Sequence, residues 1–381
     1  MRSIRDILLL SLTALVGVAW TLPVNAVPAF AHQYDKKCSY CHTAWPQLNQ
    51  KGRQFKQQGY KLDSDEEVQL GDYLQDWENV PLSGLLIARP YDKEQREDTK
   101  MRAVHEAELI VAGAFNKFSG WMEIEAEDET GFEPEVGNLV LSYHHNDWFN
   151  LQFLYAPFLW SDPYGLYGDH FRLTRGHVGF IDQSFEGADG RLRDSRQQVG
   201  AYGRIMDKLF WNIGWNGDAN DAEGEDASSV HGRLAFDITD DIMIGGFIMD
   251  GECRACTPDR DFMRWGVDGQ VDYKNFRLQA VYIGTEGDDA AAIAEEDNNV
   301  YSVQAFYTFA KETGRPTFVP LIRYDSFEKS DGTDDSDALT FNLGYYITQN
   351  VKVHAEYFHQ LDAFTGEKET DRFTLQLFLA F

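Results

Sequence analysis

Cysteine is scarce, with four in 381 residues, and the four fall into two Cys-x-x-Cys pairs, Cys38/Cys41 and Cys253/Cys256. That is too few for a disulfide-built scaffold, so any core must come from packing or from strand pairing. Basic charge is also short: 34 Lys and Arg stand against 62 Asp and Glu, a net charge of −28. Phosphate contacts need clustered cations, so nucleic acid is excluded as a partner. An acidic surface attracts cations and repels anions, although acidic loops can also serve solubility alone. Beyond the first 31 residues no apolar run approaches the ~20 residues of a spanning helix. A membrane could then be crossed only by strands.

The beginning of the chain reads as an export signal. Arg2 and Arg5 precede an apolar run from Ile7 to Trp20, and small-x-small sites follow at Val24-Asn25-Ala26 and Ala29-Phe30-Ala31. Cleavage after Ala26 is preferred, making residues 1–26 a signal peptide. The later cut would leave the next motif close to a bare terminus.

That motif is Cys38-Ser39-Tyr40-Cys41-His42. Its spacing lets two thiols add to porphyrin vinyl groups while the adjacent imidazole reaches the iron. We expect one covalently bound haem c, attached at Cys38 and Cys41, with His42 as proximal axial ligand. A disulfide or a zinc half-site is the plainer alternative. The distal ligand stays open: His32 is a weak candidate, while His105, His170, His177 and His354 serve only if the rest of the chain brings them to the iron. An open sixth position also fits. The second pair, Cys253/Cys256, has no His after it and reads as a small loop disulfide.

Residues 32–62 carry Lys36, Lys37, Lys51, Arg53, Lys56 and Lys61 against a single Asp35. The expected unit is a small helical module, residues 27–79, with a helix opened by Pro46, passing Leu48 and Phe55, and stopped at Gly59.

From about residue 80 the pattern changes to period 2. Phe373, Leu375, Leu377, Leu379 and Phe381 alternate with Arg372, Thr374 and Gln376. The same alternation recurs over 339–347, 301–309 and 264–273. A soluble sandwich would turn the apolar faces inward, a membrane barrel outward to lipid. Segments of about 10 to 13 residues, aromatic residues at strand ends, and connections alternating between very short and long acidic favour the barrel. Short turns are expected at 116–117, 146–147, 207–208, 239–240, 274–275, 312–314 and 349–350. These agree in parity only if 161–194 is one long external loop and the candidate strand at 172–185 does not span. The expectation is an antiparallel barrel of about 16 strands over residues 80–381, mainly β, in an outer membrane.

On two early strands Glu106 and Glu108, then Glu123, Glu125 and Glu127, repeat at period 2 and share the lumen side. They form either a surface for a hard cation, which prefers oxygen ligands, or a hydrated pore wall balanced by arginines such as Arg204, Arg264 and Arg323. A basic module inside the barrel would also neutralise them.

Cys38-Ser39-Tyr40-Cys41-His42-Thr43 followed by Pro46, Leu48-Asn49, Gly52, Phe55 and Gly59-Tyr60, with Pro28-Ala29-Phe30-Ala31 before it, resembles the fused monohaem cytochrome–porin family of outer-membrane Fe(II) oxidases. The remainder is similar in architecture, an acidic barrel ending in Phe381. The resemblance implies that extracellular Fe(II) donates an electron that passes through the haem to a periplasmic c-type cytochrome. It also implies that the module plugs or lies within the barrel. Two other roles remain: a cation or solute diffusion porin with a haem-containing plug or sensor, and a conduit run in reverse toward an external acceptor.

Overall fold

The computed structural model describes residues 29–63, 69, 81–168, 171–175, 191–223, 227–253, 260–286, 297–329 and 332–381. The expected signal peptide, His170, His177 and Cys256 lie outside the described residues, as do the side chains of His32 and Cys253.

Near the N-terminus come α1 (Ala29–Gln33), a hairpin of β1 (His42–Ala44) and β2 (Gln47–Leu48), and α2 (Gln50–Gln57). Pro46 does not open a helix. It sits in the hairpin turn, and α2 begins after Asn49, whose side chain accepts from the Gly52 N–H at 3.0 Å as an N-cap. The helix stops where expected: Gly59 takes φ +70, a left-handed position that glycine occupies without Cβ strain.

The barrel then runs β3 (Leu82–Glu94), β4 (Lys100–Phe115), β5 (Phe118–Glu127), β6 (Glu135–Asn146), β7 (Phe149–Ala156), β8 (Arg196–Ile205), β9 (Leu209–Gly217), β10 (Ala227–Thr239), β11 (Ile242–Cys253), β12 (Arg260–Tyr273), β13 (Phe276–Glu286) and β14 (Asn298–Tyr307). It continues through β15 (Phe309–Ala310), a two-residue extension of β14, to β16 (Pro316–Lys329), β17 (Asp334–Tyr346), β18 (Val351–Asp362) and β19 (Asp371–Ala380). Each strand pairs antiparallel with its sequence neighbour, and β19 pairs with β3 to close a 16-stranded barrel. Closure extends to the last residue, where Gly84 and Phe381 exchange backbone hydrogen bonds of 2.6 and 2.9 Å. Among the described residues the barrel leaves no lateral edge unpaired, as a lipid environment requires.

All seven short connections fall at or beside the expected turns. Between β8 and β9, Met206 and Asp207 both have positive φ and the Lys208 N–H bonds to the Ile205 carbonyl at 3.1 Å, the mirror-image turn that suits strand twist. Period 2 is inside-out relative to a soluble protein. Leu343, Ile322, Val303 and Val267 are exposed outward, while Asn342, Arg323, Gln304 and Asp268 are buried in the lumen. On β12, outward Tyr273 lies beside a short turn and Trp265 eight residues on. At ~3.4 Å rise and ~40° tilt the two stand about 20 Å apart along the barrel axis, close to the height of an apolar belt between aromatic girdles. With its apolar wall outward and its polar face within, the chain is an outer-membrane barrel.

The β7–β8 connection corrects one expectation. It is long, but its described part folds into the lumen instead of lying outside. Phe158, Leu159, Tyr164, Leu166 and Tyr167 are buried there against barrel residues including Phe247 and Phe262. Polar ties secure it: Tyr167 Oη donates to Asp268 Oδ2 (2.7 Å), Tyr164 Oη to Asp237 Oδ1 (2.6 Å), and Asp162 pairs with Arg233 (3.2 Å). The loop is aromatic where most external loops here are acidic, so it buries more apolar surface inward than water would leave favourable. Residues 172–175, the described start of the discounted strand, are not strand.

The N-terminal residues occupy the short-turn end of the lumen. They meet the wall around its circumference: Ala29 N donates to Ser83 Oγ on β3 (2.8 Å), Arg204 of β8 to Gln57 Oε1 (2.9 Å), Arg277 of β13 to Gln47 Oε1 (3.0 Å), and Tyr346 Oη of β17 to the Trp45 carbonyl (2.7 Å). Partners on opposite sides of a closed barrel can be reached together only from within. The basic residues go with it. Arg53 lies 4.0 Å from Asp272, and Lys61 donates to the Asn116 carbonyl.

Candidate functional site

The Cys-x-x-Cys-His segment is held by backbone and one amide. Cys38–Tyr40 forms a single 3-10 turn, closed by Cys41 N to Cys38 O at 3.2 Å. Asn49, besides capping α2, sends its N–H to the Cys41 carbonyl (2.9 Å) and its side-chain amide to the Tyr40 carbonyl (3.0 Å). Gly52 on the first turn of α2 passes so close that a Cβ would lie 2.2 Å from the Cys41 oxygen, so only glycine fits. Phe55 on the same helix packs edge-on against Phe30 (5.0 Å), which stacks on Tyr60 (5.0 Å).

His42 is oriented by its Nδ1, 3.0 Å from the Pro46 carbonyl. A carbonyl can only accept, so the proton sits on Nδ1 and Nε2 keeps its lone pair. Burial pushes the ring's pKa down to about 4, which keeps it neutral. Cys38 and Cys41 are unbridged, and burial pushes both thiols up to about 11. All three line one cavity of about 380 Å³ between the N-terminal residues and the barrel wall, within the ~300–1,000 Å³ usual for cofactor sites. Two thiols, one free imidazole lone pair and a mainly apolar cavity fit a covalently attached c-type haem.

Four of the five sequence-predicted carboxylates, Glu106, Glu108, Glu123 and Glu125, line the same cavity. Strand register places Glu106 opposite Glu127 and Glu108 opposite Glu125. One carboxylate oxygen from each of Glu106, Glu125 and Glu127 lies within 4.8 Å of the others. A second such group, His105, Asp128 and Glu129, stands just beyond. The arginines expected to balance this wall do not all face it. Arg204 pairs with Asp237 and Arg323 with Asp325, each on its own part of the lumen. Glu123 is satisfied by Trp121 Nε1 (2.9 Å) and Asn138 Nδ2 (3.1 Å).

Among the described residues the cavity is lined by no Met and by no His except His42. His105 is bound instead to Asp128 at 2.8 Å, and His354 packs on Phe378 at 5.3 Å. Sequence reading missed the cavity's other wall: Trp160, Phe171 and Arg172 from the inward loop, and Lys352 with Phe378 from β18 and β19. The only signal for Lys352 was its ionisable head in the lumen phase of a strand. Lys56 Nζ donates to the Asp162 carbonyl at 3.1 Å and lies over the Trp160 and Phe171 rings. Its pKa is lowered by burial to about 8.

No known family model and no curated protein matches the chain by sequence. Its fold is similar to those of solved outer-membrane proteins. An anion-selective porin from Comamonas acidovorans superposes with a TM-score of 0.59 at 11% identity, over 79% of this chain and 98% of that one. A loop-deletion mutant of OmpT from Vibrio cholerae gives 0.58 at 14% identity, covering 79% and 98%. OmpF of Salmonella typhi gives 0.57 at 13%, covering 79% and 97%. The class defined is therefore an outer-membrane barrel of porin fold, with an N-terminal plug that carries a Cys-x-x-Cys-His segment.

Proposed function

We propose that this barrel is an outer-membrane electron conduit: extracellular Fe(II) is oxidised to Fe(III), and the single electron released reaches a periplasmic c-type cytochrome by way of one haem c on Cys38, Cys41 and His42. The observation that carries this reading is that the Cys-x-x-Cys-His segment and the Glu106/Glu108/Glu125 wall line one cavity inside the barrel. Haem c would supply the one-electron couple; the chain supplies position and field. His42 presents Nε2 because Pro46 holds its Nδ1 proton. Carboxylates are hard oxygen ligands that favour Fe(III) over Fe(II), which draws the donor toward oxidation. The segment lies near the short-turn rim, where the Cys38 N–H donates to Gln349 Oε1 at 2.8 Å and Lys36, Lys37 and Tyr40 are exposed. A soluble partner can dock against those side chains.

The porin fold favours a second reading, diffusion of cations or small solutes past a haem-bearing plug. The plug and the inward loop both oppose it, since together they occupy the lumen that diffusion would need. Anaerobic mixing of the oxidised protein with Fe(II) tests the first reading. The Soret and α bands should move to their reduced positions, and bands that stay oxidised would refute it. A Cys38→Ala/Cys41→Ala variant should keep the barrel yet lose both the colour and the iron oxidation. Ion current through the purified protein in a planar bilayer, large and steady, would support the diffusion reading instead.

A further inference from the structure

Resting on that haem assignment, we propose that Lys352 of the barrel wall binds a haem propionate, so that the barrel as well as the plug anchors the cofactor. Lys352 points into the lumen from β18 and is only 3% exposed. Its Nζ lies 4.1 Å from the centroid of Phe378 and 4.9 Å from that of Trp45, and it lines the cavity that holds Cys38, Cys41 and His42. Among the described residues it has no carboxylate within 4.0 Å and no hydrogen bond, while the charged group acting on it is a like charge, Arg172. Two aromatic faces offset only part of the cost of burying an ammonium. What the site calls for is an anion.

Register shows how that anion is steered. Lys352 pairs with Phe378, Phe378 with Ile87, Ile87 with Glu106, and Glu106 with Glu127. One cross-strand row therefore runs cation, apolar, apolar, acid, acid. At ~4.8 Å per strand, Lys352 and Glu106 stand about 14 Å apart. An amphiphilic ring over Phe378 and Ile87 would have its carboxylates repelled by the glutamates, which Arg89 and Arg172 offset only in part, and drawn to Lys352. The acid end is left clear for a cation.

The test uses the full-length, haem-loaded protein in detergent, with covalent haem first confirmed in each sample by haem stain after denaturing electrophoresis. Lys352→Gln should keep its haem and its spin state. Losing a cation beside the ring stabilises the ferric form, so the reduction equilibrium should shift on the order of tenfold toward oxidised, about 59 mV lower for one electron. The propionate bending band in resonance Raman spectra should move as well, and Lys352→Arg should restore most of the potential. An unchanged potential and propionate band in haem-bearing Lys352→Gln would overturn the proposal. So would a switch to high spin, which would make the amine an axial ligand. If Lys352→Gln does not assemble, Lys352→Arg decides alone: its propionate band must differ from wild type at equal haem content. Wild-type protein without covalent haem would instead defeat the haem assignment itself, and this proposal with it.

Discussion

Arg277 makes three hydrogen bonds from the barrel to the plug, and removing it should loosen the plug by a calculable amount. Its guanidinium, 2% exposed, donates to Gln47 Oε1 (3.0 Å), the Leu48 carbonyl (3.1 Å) and Thr43 Oγ1 (3.3 Å), while bonding Asp272 at 2.5 and 2.9 Å. Arg277→Ala removes two good charged hydrogen bonds to the plug, each worth ~1.5–3 kcal/mol, and one long one. Asp272 keeps Gln270 Nε2 at 3.1 Å and Arg53 at 4.0 Å, while Gln47 keeps Gln279 at 3.2 Å. The docked state should lose about 4 kcal/mol, roughly a thousandfold in the undocked population. Other ties persist, including Tyr346 to Trp45 and Cys38 to Gln349, so undocking stays transient. The assay is therefore a rate. Trypsin cleavage at Lys51 and Arg53 follows the open population when reclosing is fast, and should accelerate by about three orders of magnitude. Brief ion-current bursts should accompany it. Arg315→Ala, at an exposed turn where the side chain bonds only the Ile347 carbonyl, is the control and should change neither. Acceleration of less than tenfold would refute the claim that this cluster seats the plug.

Further outcomes follow from single contacts. Gly59→Ala should cost about 3 kcal/mol or more, because φ is +70 and the new Cβ would sit 2.1 Å from His144 Nε2. Adding His144→Ala should recover the collision but leave the ~1–2 kcal/mol backbone penalty, read as urea midpoints of plug release. Lys56 has a pKa lowered from 10.5 to about 8 by burial, so the unfolded chain holds more protons than the folded one between those values. Plug stability should then rise from pH 8 to pH 10.5, by about 3 kcal/mol, and a Lys56→Met variant should flatten that slope. Tyr167→Phe should lower the stability of the inward loop by only about 1 kcal/mol, since Asp268 keeps Arg233 at 2.7 Å. Arg233→Ala takes the paired cation from both Asp162 and Asp268, leaving two buried carboxylates on neutral donors, and should cost ~3–5 kcal/mol, with both variants measured by hydrogen exchange at residues 158–168.

The barrel was legible because lipid and lumen impose opposite demands on alternate residues. Leu339 to Ile347 could satisfy both only as a wall strand, and the seven short turns carried small or polar residues where strand twist requires them. The placement of Glu106, Glu108, Glu123 and Glu125 on one lumen wall was readable for the same local reason, since period 2 puts them on one face. What period cannot show is which connection turns inward. Residues 157–168 differ from an external loop only in aromatic content, and their partners Phe247, Asp268 and Asp237 lie about 70 to 100 residues away. Pro46 misled for a related reason. Proline is compatible with a first helical turn, but Asn49 could cap and also reach back to Tyr40, so the helix began four residues later.

The charge pattern gains its meaning only from the closed topology. A basic segment of residues 32–62 followed by an acidic barrel reads, along the chain, as two unrelated compositions. Inside one lumen it becomes complementarity: Arg53 faces Asp272, and Lys56 reaches the Asp162 carbonyl on a loop that Arg233 also holds. The neutralisation is incomplete, and the places where it fails are not random. Glu106, Glu125 and Glu127 remain crowded together, Lys352 has no anion among the described residues, and Lys352, Glu106 and Glu127 fall on one cross-strand row beside the cavity that contains His42. A plug selected only to fill a pore would bring the shortage of cations at one end to the excess at the other. Leaving them about 14 Å apart costs stability in a buried, low-dielectric space. That cost is recovered if an amphiphilic, carboxylate-bearing group lies between them with a cation beyond, which is the arrangement a haem and its iron donor would make.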